Sequence, residues 1–142
     1  MRLFSEKLLA TLGSAGPIFV YSHFEKTALI KLADMLPDLA MDLYRLRDRL
    51  KDLLPLTRQH YYHPEMKCSW SLKAVLPTVA PDLSYDALEE VQHGIAAQVA
   101  YLEAIDPATS PARRQELTER LLEYCCLDTL GLVRLVQFLQ QE

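Results

Sequence analysis

Gly16-Pro-Ile-Phe-Val-Tyr-Ser-His-Phe-Glu-Lys26 is the stretch of sequence that sets the fold class of this chain. Within it, Ile18–Tyr21 is a run of β-branched and aromatic residues without polar alternation, which is typical of a strand buried on both faces. Ser22 ends the run, and apolar residues then recur at helical spacing until Pro37 stops the helix. A strand that passes directly into a helix predicts an α/β fold.

Helices are predicted for most of the remaining chain. Its 142 residues include 27 leucines, only 11 isoleucines and valines together, and four glycines, a balance that favours helices and excludes an all-β sandwich. The length suits one domain, residues 1–142, with a single core. Helical patterns cover Arg2–Leu12 before Gly13, Asp38–Leu50, Cys68–Val79, a stretch from Ser84 with the apolar stripe Leu88, Val91, Ile95, Val99 and Leu102, and a final helix from Ser110-Pro111 to Leu139.

A second strand is predicted at Leu53–Leu56, where Pro55 restricts it to a sheet edge or to the entry of the strand. Helices between the two strands would make a right-handed β-α-β unit with a parallel pair. Two strands alone are marginal in water and expose unpaired backbone groups, so we expect the rest of the sheet to lie outside this chain. The predicted fold is therefore the later part of an α/β domain, mostly helical with one or two strands.

Basic and aromatic residues concentrate in the middle of the chain. Arg45–Lys73 holds seven basic and three acidic residues, a local excess of +4, although the whole chain carries −4. Cations for phosphates and rings for bases are what a single-stranded nucleic acid requires of its binding surface. The alternative is a solvated linker whose arginine stems lie along apolar surface. The nucleic-acid-binding candidates are Arg58, Tyr61, Tyr62, Lys67, Trp70 and Lys73.

Two further patterns bear on the compartment. No apolar run approaches the roughly 18 residues that a membrane span needs, so no membrane partner is expected. The cysteines Cys68, Cys125 and Cys126 are odd in number and lack C-x-x-C spacing, which indicates reduced thiols rather than disulfides. We therefore predict a cytoplasmic protein.

Asp128 interrupts the apolar stripe of the last helix. An unpaired buried carboxylate is costly, so Asp128 must be protonated, hydrogen-bonded, paired with a cation or bound to a metal. The alternative is that the helix breaks here and Asp128 caps a new helix from Thr129. The stripe consists of Leu117, Leu121, Tyr124, Asp128, Leu132, Leu135 and Leu139.

Glu25 follows the predicted strand and so lies at the carboxyl end of a strand, where open α/β sheets place their sites. The run Ser22-His23-Phe24-Glu25 also fits the capping box S-x-x-E, in which Glu25 would accept a hydrogen bond from the backbone of Ser22. Spacing alone favours the capping box over a functional role.

Tyr21, Phe24 and Glu25 after the strand, together with Tyr124 and Asp128 in the last helix, resemble the second and third motifs of the DnaQ-like 3′-to-5′ exonucleases in their tyrosine variant. That superfamily has a ribonuclease H-like fold. Four segments look like a bacterial family of unknown function within it, whose exonuclease-like region lies C-terminal to a RecB-like or Cas4-like nuclease region. These segments are Gly16–Lys26, His60–Met66, Ser71–Pro77 and Tyr124–Thr129.

The resemblance implies the C-terminal portion of a ribonuclease H-like domain whose N-terminal strands are absent, because no D-x-E strand precedes Gly16. Such nucleases use four carboxylates to hold two Mg²⁺ or Mn²⁺ ions, which activate water and stabilise the leaving oxygen. By resemblance, Asp128 would ligate the catalytic metal, Glu25 would contact metal partly through water, and Tyr124 would orient the attacking water. Glu25 stands where relatives in the superfamily carry Asp, which leaves its coordination geometry open.

Two functions remain as hypotheses. The first is a fragment of a metal-dependent exonuclease domain that acts on DNA or RNA ends, single-stranded ones above all, and that is expected to be inactive alone because D-x-E is missing. The second is a non-catalytic module that binds nucleic acid or another protein. In either case an exposed sheet edge would favour self-association.

Overall fold

The computed structural model describes residues 1–83 and 94–141, which form two compact units. Unit 1 is Met1–Tyr62 and unit 2 is His63–Glu142. Unit 1 contains α1 (Arg2–Leu12), β1 (Ile18–Val20), α2 (Phe24–Met35), α3 (Ala40–Asp48), β2 (Leu50–Asp52) and α4 (Leu53–His60). Unit 2 contains a 3-10 turn (Pro64–Met66), α5 (Leu72–Val79), α6 (Gly94–Ile105) and α7 (Pro111–Leu139). The chain is a mainly helical α/β protein, as the sequence predicts.

The described residues of unit 1 form a two-stranded parallel sheet, in which Ile18 is opposite Leu50 and Val20 is opposite Asp52. The parallel pairing confirms the prediction, but the position predicted for the second strand is wrong. Leu53–Leu56 begins α4 instead, because Asp52 caps that helix by accepting the Leu54 N–H at 2.9 Å. Pro55 lies in the first helical turn, where its missing N–H removes no hydrogen bond.

The prediction that β1 is buried on both faces is also wrong. Val20 is only 5% exposed, whereas Phe19 is 43% exposed, so the helices cover one face of this strand. On the covered side, the core of unit 1 joins α2 to α3, and residues of α1 pack against it. Its buried members are Leu29, Leu32, Ala33, Leu43 and Leu46.

Arg49 ties the end of α1 to the start of β1. Its Nε donates to the carbonyl oxygen of Gly16 at 2.7 Å and its Nη1 to that of Gly13 at 2.6 Å. Its Nη2 donates to the carbonyl oxygens of Leu12 at 3.0 Å and Ala15 at 2.6 Å. Both glycines have positive φ, 57° at Gly13 and 83° at Gly16, a backbone geometry that other residues adopt only with strain. Arg49 therefore donates hydrogen bonds to carbonyl oxygens at the end of α1 and in the loop whose conformation depends on Gly13 and Gly16.

In unit 2, α7 is one unbroken helix of 29 residues. Ser110 caps it through the Arg113 N–H and Pro111 occupies its first turn, as the sequence predicts. Since the helix runs through Asp128 and Thr129, the alternative in which Asp128 caps a new helix is wrong. The core of the unit is built around Leu76, Ala100, Ala104 and Leu117.

Two other predictions for unit 2 need correction. Helix α5 starts at Leu72 rather than Cys68, because Lys67 and Cys68 have positive φ values that no right-handed helix contains. The predicted stripe on α6 does not face the core: Ile95, Val99 and Leu102 are exposed, and the helix buries Ala100 and Ala104 instead. Small alanines allow close helix packing. Ser84, Leu88 and Val91 lie outside the described residues.

No helix within residues 1–83 and 94–141 is both long enough and apolar enough to cross a membrane.

Candidate functional site

Tyr124 and Asp128 form the centre of the candidate site in unit 2. They are four residues apart on α7, which places both side chains on one helix face, and both are half-buried. The Tyr124 hydroxyl donates a hydrogen bond to the Asp128 carboxylate. The structure therefore brings together the two residues that the third motif pairs.

Lys73 approaches the same pair from α5. Its Nζ lies 4.4 Å from the centroid of the Tyr124 ring, close enough for a cation–π interaction. Lys73 is half-buried, and the Asp128 carboxylate stabilises its charge. Of the four possibilities for Asp128, the structure shows hydrogen bonding, by Tyr124, together with electrostatic compensation by a cation.

The electrostatics of the pair keep the Tyr124 hydroxyl protonated. Burial, and then the negative charge and hydrogen bond of Asp128, raise the pKa of Tyr124 to about 12. The phenol therefore keeps its proton at neutral pH and can donate a hydrogen bond, but it is a poor base. Burial lowers the pKa of Lys73, while Asp128 raises it. Burial raises the pKa of the Cys125 thiol, which makes a thiolate nucleophile unfavourable there.

Glu25 lies in unit 1, exposed in the first turn of α2. The capping-box interpretation is wrong: in the described part of the chain the N-cap is His23, and no side chain makes a cap hydrogen bond there. Ser22 has a φ of 88°, and its N–H donates to Asp52 Oδ1 at 2.8 Å. Glu25 therefore does not form the capping box that the spacing predicts.

An apolar cavity of about 270 Å³ adjoins Glu25 in unit 1. It lies against β1 and between α1 and α2, and its rim includes Phe4 and Phe24, which are 56% and 73% exposed. Tyr21, which follows β1, is half-buried, and its side chain shares a hydrogen bond with Thr57. Burial raises the pKa of Tyr21.

In the basic and aromatic segment Arg45–Lys73, some side chains bind partners within the protein and others are exposed to solvent. Arg45 pairs with Asp42 at 2.9 Å, and Arg47 bonds Asp48 at 2.7 Å, while Arg49 holds the loop described above. Among the nucleic-acid-binding candidates, Arg58, Tyr61 and Tyr62 belong to unit 1, and Lys67, Trp70 and Lys73 belong to unit 2. Arg58, Tyr62 and Lys67 are exposed, and Tyr61 and Trp70 are half-buried.

The two-metal site that the resemblance implies requires several oxygen ligands close together. Among residues 1–83 and 94–141, no group of three or more His, Cys, Asp or Glu side chains could hold a metal ion. In unit 2, Asp128 and Tyr124 supply one carboxylate and one phenol, and a lysine cation lies beside them. A hard divalent ion requires more oxygen ligands than this, so the residues of unit 2 by themselves do not fit a two-metal centre.

Residues 1–71 match a family model described as "Domain of unknown function (DUF2779)". The chain belongs to this family. The match covers Tyr21, Glu25 and most of the basic and aromatic segment, and it ends before Lys73, Tyr124 and Asp128. No curated protein and no solved structure matches the chain.

Sequence reasoning missed the structural roles of two side chains, Arg49 and Lys73. By sequence, Arg49 is one of seven cations in a basic segment. The structure shows that it donates hydrogen bonds to the carbonyl oxygens of Gly13 and Gly16, two glycines that mark a loop in the sequence. The sequence makes Lys73 a candidate for phosphate contact, with an exposed helix lysine as the alternative, and the structure places its ammonium over the Tyr124 ring. No local spacing could reveal that contact, because 51 residues separate Lys73 from Tyr124.

Proposed function

We propose that the chain is part of a metal-dependent 3′-to-5′ exonuclease domain of ribonuclease H-like fold that acts on DNA or RNA ends. The observation that supports this proposal is the Tyr124–Asp128 pair on one face of α7, in which the hydroxyl bonds the carboxylate. A protonated phenol beside a carboxylate is suited to orienting a water near a phosphate. Glu25, in the first turn of the helix that follows β1, is the second acidic residue that the resemblance implies.

The donor set explains why this chain alone is expected to be inactive. Mg²⁺ or Mn²⁺ would supply Lewis-acid activation of water when bound, with Asp128 and Glu25 as the ligands that this chain contributes. Further carboxylates, those of a D-x-E motif, would have to complete the coordination. The activity therefore belongs to a longer polypeptide or to an assembly that supplies that motif.

The test compares this chain with a version extended by the coding sequence upstream of Met1, using single-stranded DNA and RNA oligonucleotides labelled at the 5′ end. The extended protein should shorten the substrate from its 3′ end in Mn²⁺, and Asp128→Asn and Tyr124→Phe should remove most of that activity. Robust metal-dependent turnover by the present chain, abolished by Asp128→Ala, would contradict the account of the missing ligands.

A non-catalytic interaction module is the second candidate, and the edge of β1 favours it. Among the described residues β1 pairs with β2 alone, over three residue pairs, and the apolar cavity borders the strand. A second copy of the chain could pair with β1 and cover Phe4 and Phe24. Sedimentation velocity tests this: Phe24→Ser should shift a dimer toward monomer, whereas a monomeric parent chain would contradict self-association.

We also propose that the protein is cytoplasmic. In the described structure Cys68, Cys125 and Cys126 form no disulfide bond and are exposed, as expected in a reducing cytoplasm. Fractionation of expressing cells tests the proposal.

A further inference from the structure

The side chains of Lys73, Tyr124 and Asp128 meet between α5 and α7, and we call them the lysine cluster. We propose that Lys73 is the internal counter-cation of the Asp128 carboxylate, so that a divalent metal ion reaches Asp128 only when Lys73 withdraws. The part that concerns metal rests on the proposed function. The pairing of Lys73 with Asp128 stands on the contacts within unit 2.

The packing of α5 on α7 fixes the approach of Lys73. Leu76 is fully buried and lies directly over Gly131, where a glycine lets the two helices come close. Lys73 precedes Leu76 by three residues and Asp128 precedes Gly131 by three residues, so both lie on the helix faces that meet at this contact. The 4.4 Å distance from Lys73 Nζ to the Tyr124 ring centroid confirms that the ammonium points to α7.

The charges of the lysine cluster are balanced without metal. Asp128 and Lys73 are both half-buried, and a half-buried carboxylate requires compensation. The Tyr124 hydroxyl supplies a hydrogen bond and Lys73 supplies the positive charge. A divalent cation placed at the same carboxylate would be repelled by the ammonium, and this repulsion weakens metal binding. The long lysine side chain has the freedom to swing away.

A double-mutant cycle without metal tests the pairing. Thermal melts would be recorded for the parent chain, Lys73→Met, Asp128→Asn and the double variant, with exposed Lys31→Met as the matched control. We expect Lys73→Met to lower Tm by about 3 °C in the parent, and by less than half as much when Asp128 is already Asn. Equal shifts in both backgrounds would overturn the pairing.

A Mn²⁺ titration followed by electron paramagnetic resonance tests the exclusion of metal. Lys73→Met should bind Mn²⁺ about three- to tenfold more tightly than the parent chain, Lys73→Arg should resemble the parent, and Asp128→Asn should lose the effect. A merely structural lysine would weaken Mn²⁺ binding when removed, and equal affinity in parent and Lys73→Met would overturn the inference. Thermal coupling without Mn²⁺ binding by any variant would support the counter-cation and overturn the exclusion of metal by Lys73, while the proposed activity would still be decided by the extended protein.

Discussion

The side chain of Leu76 occupies the space that a Cβ atom on Gly131 would need. Both residues are buried, and the contact lies between α5 and α7 in the core of unit 2. Glycine therefore suits this position because the two helices approach closely there, and not because the backbone has an unusual conformation.

Gly131→Ala should destabilise the protein although alanine is the better helix former. Overpacking against Leu76 costs about 1–3 kcal/mol, against a helix-propensity gain of about 1 kcal/mol. Chemical denaturation should therefore show a lower free energy of unfolding. Gly94→Ala is the control, because a Cβ at Gly94 meets nothing within 4 Å and the change should be neutral or stabilising. A stabilised Gly131→Ala variant would contradict the close packing.

Arg49→Lys should destabilise unit 1, because an ammonium cannot donate to four carbonyl oxygens in the geometry of the guanidinium. We expect a loss of about 1–3 kcal/mol in urea unfolding. Arg45→Lys is the matched control: Arg45 pairs with the exposed Asp42, and its replacement should change stability by less than about 0.5 kcal/mol. Similar losses in both variants would argue against a special role for Arg49.

Asp52→Ala should cost about 1–2 kcal/mol, because the Asp52 carboxylate caps α4 and also accepts the Ser22 N–H. Asp52→Asn retains an acceptor oxygen and should keep most of the stability. The comparison of the two variants by thermal melting separates the hydrogen bonds from the charge. If Asn is as harmful as Ala, the charge rather than the cap stabilises this junction.

Tyr124 should ionise later than an ordinary tyrosine, with a pKa near the value of about 12 that burial and Asp128 produce. Ultraviolet titrations of the parent chain and Tyr124→Phe would isolate this phenol by difference. Because the folded-state pKa lies above the unfolded value of about 10, its stabilising contribution is complete below pH 10 and is lost as pH rises toward 12. In Asp128→Asn the midpoint should move down; an unchanged midpoint would show that Asp128 has no influence on the phenol.

Local signals predicted much of the secondary structure. Some residues mark helix ends through backbone geometry that depends on their immediate neighbours alone. As these residues predict, α1 ends just before Gly13, α2 ends before Pro37, and α7 begins at Pro111 after Ser110. The sequence puts the second strand at the wrong position because Asp52 is both the last residue of β2 and the N-cap of α4. An apolar run beside a proline could not reveal this double use.

The partners of the candidate site were less accessible to sequence reasoning. Tyr124 and Asp128 could be paired from their spacing of four, since a single helix carries both. Lys73 lies on another helix, and its contact depends on how α5 packs against α7. The outer face of α6 could not be predicted either, because a helix that is apolar all round gives no signal of which side meets the core.

Because several arginines bind partners within the protein, fewer counterions would be released when this segment binds nucleic acid. Arg45, Arg47 and Arg49 are held by protein partners and Lys73 belongs to the lysine cluster, which leaves Lys51, Arg58 and Lys67 as exposed cations of the segment. If these three neutralised phosphates of a single strand, the logarithm of affinity would fall with the logarithm of salt concentration with a slope of about −2, instead of about −5 for all seven cations. Binding would therefore release counterions as three cations would, which is fewer than half of the seven cations in this segment.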